Sequence, residues 1–251
     1  MCTVVILRHS GAAWPLIVGA NRDEMRTRPW RPPARHWPDR PEVVGGYDEA
    51  AGGSWFGVNE HGVVAGLLNR PGTLGPAAGM RSRGELVLDA LDHADAAAAA
   101  EALAALDPRA YRAFNMLIGD SRDAFSIRAL GREGPRRVAV SPLPEGLSMI
   151  TAHGLNDDAS PRQRAQWPRF GAAPPPDPDR DDFAAWEALL TAEAPAGGNP
   201  EAAMRFMTER GFGTTSSALV ALPQPGGGRK PIFRFAAIEP GQTPVFRRIP
   251  L

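Results

Sequence analysis

Strand-like runs come in adjacent pairs along this chain, and helical patterning is confined to two blocks between them. At the start, "CTVVIL" and "PLIVGA" flank the turn-like "RHSGAAW", the pattern of a β-hairpin. "SWFGVNEHGVVAGLLN" repeats it with two short strands around "NEHG", where Asn59 and Gly62 flank the turn. Between these hairpins, residues 24–41 carry so much proline that an irregular loop is expected. From Ser82 the period changes: Leu86, Leu91, Leu103 and Leu106 recur at helical spacings in an Ala-rich stretch. That stretch predicts two helices broken near Ala94 and Asp95, with Ser82 and Glu85 spaced as a capping box. Strands return at "FNMLIGD", "AFSIRAL", "RRVAVS" and "GLSMITAHG". A second helical block follows in "FAAWEALLTAE" and "PEAAMRFMTER", and "TTSSALVALP", "PIFRFAAIE" and "PVFRRIP" close the chain as strands. The order β, α, β, α, β lacks the strict βαβ alternation of a doubly wound fold. It predicts two stacked antiparallel sheets with helix pairs outside, in one domain spanning 1–251.

Charge and cysteine content narrow the function classes. With 28 Lys+Arg against 28 Asp+Glu the chain is formally neutral, which offers no electrostatic basis for binding nucleic acid or an anionic membrane. No apolar run approaches the ~18 residues of a membrane span, and the apolar start is too short and lacks the basic flank of a signal peptide. A cytoplasmic protein is expected, where a free thiol persists. One cysteine allows neither an internal disulfide nor a Cys-based zinc cage. His9, His36, His61, His93 and His153 show no metal-binding spacing, so no metal site is expected. Walker A, GxGxxG and G-x-S-x-G patterns are missing too, against nucleotide, dinucleotide and serine-hydrolase chemistry.

The sole thiol, Cys2, directly follows Met1. If Met1 is trimmed, the thiol gains a free α-amine of reference pKa ~7.7–8.0 on the same residue. Such an amine can take the thiol proton and later return it to a leaving amine, with no histidine base. The alternative is a small apolar residue opening an edge strand. "IVGANRDEM" delivers Asn21, Arg22, Asp23 and Glu24 at a strand end, and a hairpin would bring that end to the edge that holds Cys2. There Asp23 could hold the amine while Arg22 or Asn21 sets the local charge; a solvated turn is the other option. Asn69 closes an apolar strand before Pro-Gly, either as a turn residue or as an oxyanion donor. His153 and Asn156 in "ITAHGLNDD", and Ser216 within "GTTSSAL", could line a cleft or simply lie in loops and exposed strands.

Taken in order, "MCTVVIL", "GANRDEMRTRPW", "GGSWFGVNEHGVVAGLLNR", "RSRGELV", "YRAFNMLIGD" and "GFGTTSSAL" resemble the NRDE family, that of the transport and Golgi organisation 2 protein and its bacterial relatives. The resemblance implies an α+β, four-layer αββα sandwich of the N-terminal-nucleophile hydrolase type. It also implies kinship with the cysteine branch that contains penicillin V acylases and bile salt hydrolases. By residue matching, Cys2 takes the nucleophile position, Asp23 the amine-binding position, and Asn69 and Asn156 the oxyanion positions. The acylase arginine three residues before the aspartate is Ala20 here, leaving Arg22 as its nearest substitute. Thr215 stands where NRDE relatives carry an arginine near the last strands.

Two functions remain open on the sequence. One is an N-terminal cysteine amidohydrolase cleaving a non-peptide C–N amide of a small molecule without a cofactor, with Asn21, His153 and Ser216 at the substrate. The other is a non-catalytic carrier on the same scaffold, holding an apolar or haem-like ligand.

Overall fold

The computed structural model describes residues 2–194 and 197–251; Met1, whose removal bears on the role of Cys2, lies outside them. The first strands are β1 (Thr3–Arg8), β2 (Leu16–Met25), β3 (Trp30–Ala34), β4 (Val43–Asp48), β5 (Phe56–Asn59) and β6 (Val64–Asn69). Helices α1 (Glu85–Leu91) and α2 (Ala96–Ala104) lead to β7 (Phe114–Gly119), β8 (Ala124–Ala129), β9 (Ala139–Pro142) and β10 (Gly146–Ile150). Helices α3 (Pro161–Ala172) and α4 (Ala184–Leu190) precede β11 (Phe212–Leu222), β12 (Ile232–Ala237) and β13 (Arg247–Ile249). The α+β class expected from the block order is the class observed.

The chain forms two compact units, Met1–Arg28 with Glu145–Pro250, and Pro29–Pro144 with Leu251. The first holds a six-stranded antiparallel sheet in the order β10-β1-β2-β11-β12-β13. Alternate residues Ile17, Leu219 and Ala221 face a core completed by Phe170 of α3 and by Trp186 and Leu190 of α4. The second holds a seven-stranded sheet in sequence order, β3 through β9. There Phe114, Met116 and Ile118, two residues apart on β7, pack with Leu86, Leu91 and Leu103 of α1 and α2.

Four local expectations are corrected. The proline-rich stretch contains a strand after all: β3 is the edge of its sheet, where Pro32 and Pro33 fall in a register shift between Arg31 and Ala34 and break no central ladder. The capping box does not form. Ser82 Oγ accepts from Gly84 N at 3.2 Å, Glu85 pairs with Arg81 at 2.7 Å, and Gly84 caps α1 without a side chain. Helix α3, unanticipated, starts with Pro161 at its first turn and Ser160 accepting from Gln163 N at 3.2 Å. Conversely, "PEAAMRFMTER" forms only a 3-10 turn at Pro200–Ala202. Its next residues bond to the sheet instead: Met204 O accepts from Asn21 Nδ2 at 2.8 Å, and Phe206 O from Thr214 N at 2.9 Å. Those tertiary bonds outcompete the i→i−4 ladder.

Candidate active site at the start of the six-stranded sheet

β1, β2 and β11 lie side by side, with Thr3 opposite Asn21 and Asn21 opposite Ser217. These partners share the face that meets the helices. Asn21 Nδ2 donates to Leu190 O and Met204 O, both at 2.8 Å, and Ser217 Oγ donates to Asn21 Oδ1 at 2.8 Å. The Asn21 carboxamide, expected at the substrate, ties β2 to α4 and to the segment after Pro200–Ala202.

One residue along β2, Arg22 falls on the opposite face with Ser216 as its register partner. A β-bulge between Thr214 and Ser216 sets the hydroxyl of Thr215 against Arg22. Arg22 Nη1 donates to Thr215 Oγ1, and Thr215 Oγ1 lies within donating distance of Arg22 O, both at 3.3 Å. Arg22, Thr215 and Ser216 are all buried. Thr215 is therefore a direct partner of the Arg22 cation.

Cys2, half-buried ahead of β1, reaches the end of β2. Asp23 N donates to Cys2 Sγ at 3.3 Å, and Sγ lies 3.6 Å from Asp23 O. Arg162 Nη1, from the first turn of α3, donates to Asp23 Oδ2 at 2.8 Å and to Thr3 Oγ1 at 2.9 Å. Its guanidinium lies 5.3 Å from the Phe206 ring centroid. Both members of this ion pair are deeply buried, with side-chain exposures of 4% for Arg162 and 0% for Asp23. Burial pushes the Cys2 thiol up and the Asp23 carboxylate adds to the rise, while the Asp23 N–H and the Arg22 guanidinium pull the other way. Burial would raise the Asp23 carboxyl as well, but nearby positive charges, the Arg162 guanidinium foremost, together outweigh it and hold the group below the usual carboxylate range. The result is a nucleophile-type atom at a backbone N–H, beside a carboxylate kept anionic in a buried place.

Cys2 and the Arg22–Asp23 end of β2 thus lie at one edge, as the hairpin spacing predicts, and Ser216 of β11 is the register partner of Arg22. His153 is half-buried in the loop after β10, where its N–H donates to Thr151 Oγ1 at 3.3 Å. Asn156, exposed and left-handed at φ 49°, exchanges bonds with β10: its Oδ1 accepts from Met149 N and its N donates to Met149 O, both at 2.8 Å. Asn69 belongs to the other unit, closing β6 opposite Phe114. The loop after it is pinned by Arg83 on Thr73 O at 2.7 Å and by Arg112 on Gly72 O at 2.8 Å.

Arg162 and Thr3 were not singled out on the sequence. A signal exists for the first: Arg162, Gln166 and Phe170 recur at i, i+4 and i+8 on one buried helix face, and an arginine there requires a buried acceptor. Among the described residues no group of three or more His, Cys, Asp or Glu could hold a metal ion, and no helix is long and apolar enough to cross a membrane.

Solved structures of similar fold include a Caenorhabditis elegans N-acylethanolamine-hydrolyzing acid amidase ortholog, 14% identical, with a TM-score of 0.55 over 90% of this chain and 94% of that one. Two variants of the conjugated bile acid hydrolase of Clostridium perfringens are 13% and 12% identical, with TM-scores of 0.53 and 0.52 over 99% of this chain and 92% of theirs. At these identities the likeness is one of fold, the N-terminal-nucleophile hydrolase fold that the sequence resemblance implies. Comparison with curated proteins gives no match. Residues 1–172 match the family described as Transport and Golgi organisation 2, and this chain belongs to that family.

Proposed function

We propose that this chain is an N-terminal cysteine amidohydrolase that cleaves a non-peptide C–N amide of a small molecule once Met1 has been removed. The observation that carries the reading is Cys2 Sγ at 3.3 Å from the Asp23 N–H, beside a carboxylate held anionic at the end of β2. In the proposed cycle the Cys2 α-amine takes the thiol proton, and the thiolate attacks the amide carbonyl. Backbone N–H groups hold the oxyanion, with Asn156 as a side-chain donor. As the C–N bond breaks, the α-ammonium gives its proton to the leaving nitrogen and a thioester remains. Water, deprotonated by the same amine, cleaves the thioester, and the proton returns to the thiol. Asp23 orients the amine and Arg22 favours the thiolate, while His153 and Ser216 contact substrate. Asn21 positions β2 from the helix-side face. No cofactor enters the cycle, and a cytoplasmic setting would keep the thiol reduced.

Two of the similar folds belong to proteins named as hydrolysing N-acylethanolamines and conjugated bile acids, so amides of those two kinds are the first to screen. Protein expressed without an N-terminal tag is weighed intact and then assayed beside Cys2→Ala. A mass lacking Met1, with turnover that drops at least about 10³-fold in the variant, is expected. Retention of Met1, or an unchanged rate without the thiol, would sink the reading.

A further inference from the structure

Arg162 lies 139 residues from Asp23 in sequence, yet its Nη1 reaches both Asp23 Oδ2 and the hydroxyl of Thr3, the residue directly after Cys2. A buried guanidinium is costly to desolvate, and replacing such a pair with apolar side chains is often neutral for stability. A purely structural role gives no reason for its place against these two groups. The geometry points to Arg162 as the positioning residue of this site, its guanidinium clamping in one grip the Asp23 carboxylate and the hydroxyl of Thr3, the residue next to Cys2. The grip does two things. It fixes the carboxylate at one orientation from the helix side, and it balances its charge, so that the Cys2 thiol and amine face a neutral pair instead of a lone anion. The charge balance at the amine rests on the amidohydrolase reading; the grip on Asp23 and Thr3 does not.

Few other charges bear on Cys2. β2 contributes Arg22 and Asp23, and α3 contributes Arg162. The N-terminal ammonium adds a further positive charge at Cys2, β11 sets Thr214 opposite Asp23 and Ser216 opposite Arg22, and Phe206 lies against the Arg162 guanidinium.

Because Cys2 is the only cysteine, alkylation by iodoacetamide reports this one thiol and needs no substrate. The rate is measured from pH 6 to 10 on the untagged full chain, with circular dichroism as the folding check. Arg162→Met is expected to move the profile to higher pH, slowing alkylation roughly 3- to 10-fold on the acid side of its midpoint. The direction is the same in either protonation state of Asp23. The thiolate loses a nearby cation if Asp23 stays charged, and an ammonium held close if Asp23 takes a proton. Arg162→Lys should recover part of the rate. In an Asp23→Asn background Arg162→Met should slow alkylation less, because only the direct loss of the cation is left and the part that acts through the Asp23 carboxylate is gone. A wild-type profile in R162M, or equal slowing in both backgrounds, overturns the proposal. If R162M does not fold, Arg162→Lys carries the same comparison. Slowing in the wild-type background and less beside Asp23→Asn is expected; no slowing, or the same slowing in both, overturns it. Amide screening decides the hydrolase reading separately: an alkylation cycle of this form without any turnover leaves Arg162 in place and removes the reaction.

Discussion

At Asp23 a carboxylate with no exposed side-chain surface is held ionised against the cost of burial by nearby positive charge, foremost Arg162 at 2.8 Å. Its folded-state pKa is depressed, so the stability it contributes is complete above the ordinary carboxylate pKa of 3.8 and is lost as pH falls below that value. Urea midpoints measured from pH 7 to pH 2 should therefore drop below about pH 4 in the wild type. Asp23→Asn should lose about 3–5 kcal/mol already at pH 7, since it strands Arg162, and should show a flatter acid limb. An unchanged acid limb in the variant would mean that other carboxylates govern acid unfolding. Cys2, Arg22 and Asp23 were legible in the sequence because they follow from one hairpin register and one polar run. Arg162 was not, since nothing local to residue 162 says that α3 crosses the end of β2. Asn21 was visible as a polar residue, but its use on carbonyls 169 and 183 residues away depends on tertiary packing.

Among the elements, α1 shows how backbone contact replaces a cap. A Cβ at Gly53 would lie 2.4 Å from Gly84 C, and Ser54 N donates to Gly84 O at 3.0 Å, so two main chains meet where α1 begins. Gly53→Ala must push backbone against backbone, and a loss of about 1–3 kcal/mol in chemical denaturation is expected. A wild-type midpoint would show that the contact yields freely. The hairpins were legible because alternation and turn residues are local signals. β3 was hidden because its prolines argue against a strand everywhere except at an edge, and edge position belongs to the assembled sheet. The failed helix after Pro200–Ala202 has the same origin: its apolar spacing suits a helix, while Thr214 and Asn21 supply bonds that the segment itself does not reveal.

At the scale of the whole molecule, the two units differ in continuity. Pro29–Pro144 is one uninterrupted stretch except for Leu251, whereas the six-stranded sheet joins Met1–Arg28 to Glu145–Pro250. β11 sits between β2 and β12 in that sheet, so a chain ending at residue 210 lacks its middle. In such a truncation, hydrogen exchange should find the amides of β1 and β2 unprotected while those of β4 to β8 keep their protection. Uniform loss of protection would tie both sheets into one cooperative unit. The class of the fold was legible from the order of blocks alone, because hairpin-connected strands leave few topologies. The division of the chain was not, since nothing in composition marks residues 28 or 145.

The long-range pairing of β2 with β11 also has a consequence in time. Cys2 leaves the ribosome some 210 residues before Phe212, the first residue of β11, and a ribosome adding roughly 5–20 residues per second needs about 10–40 s to cover that distance. Throughout that interval the thiol has neither the bulge at Thr214 nor, for most of it, Arg162 to meet. The segment that carries Cys2 therefore spends that interval without the β11 partner of β2, and the surroundings of the thiol are completed only late in synthesis.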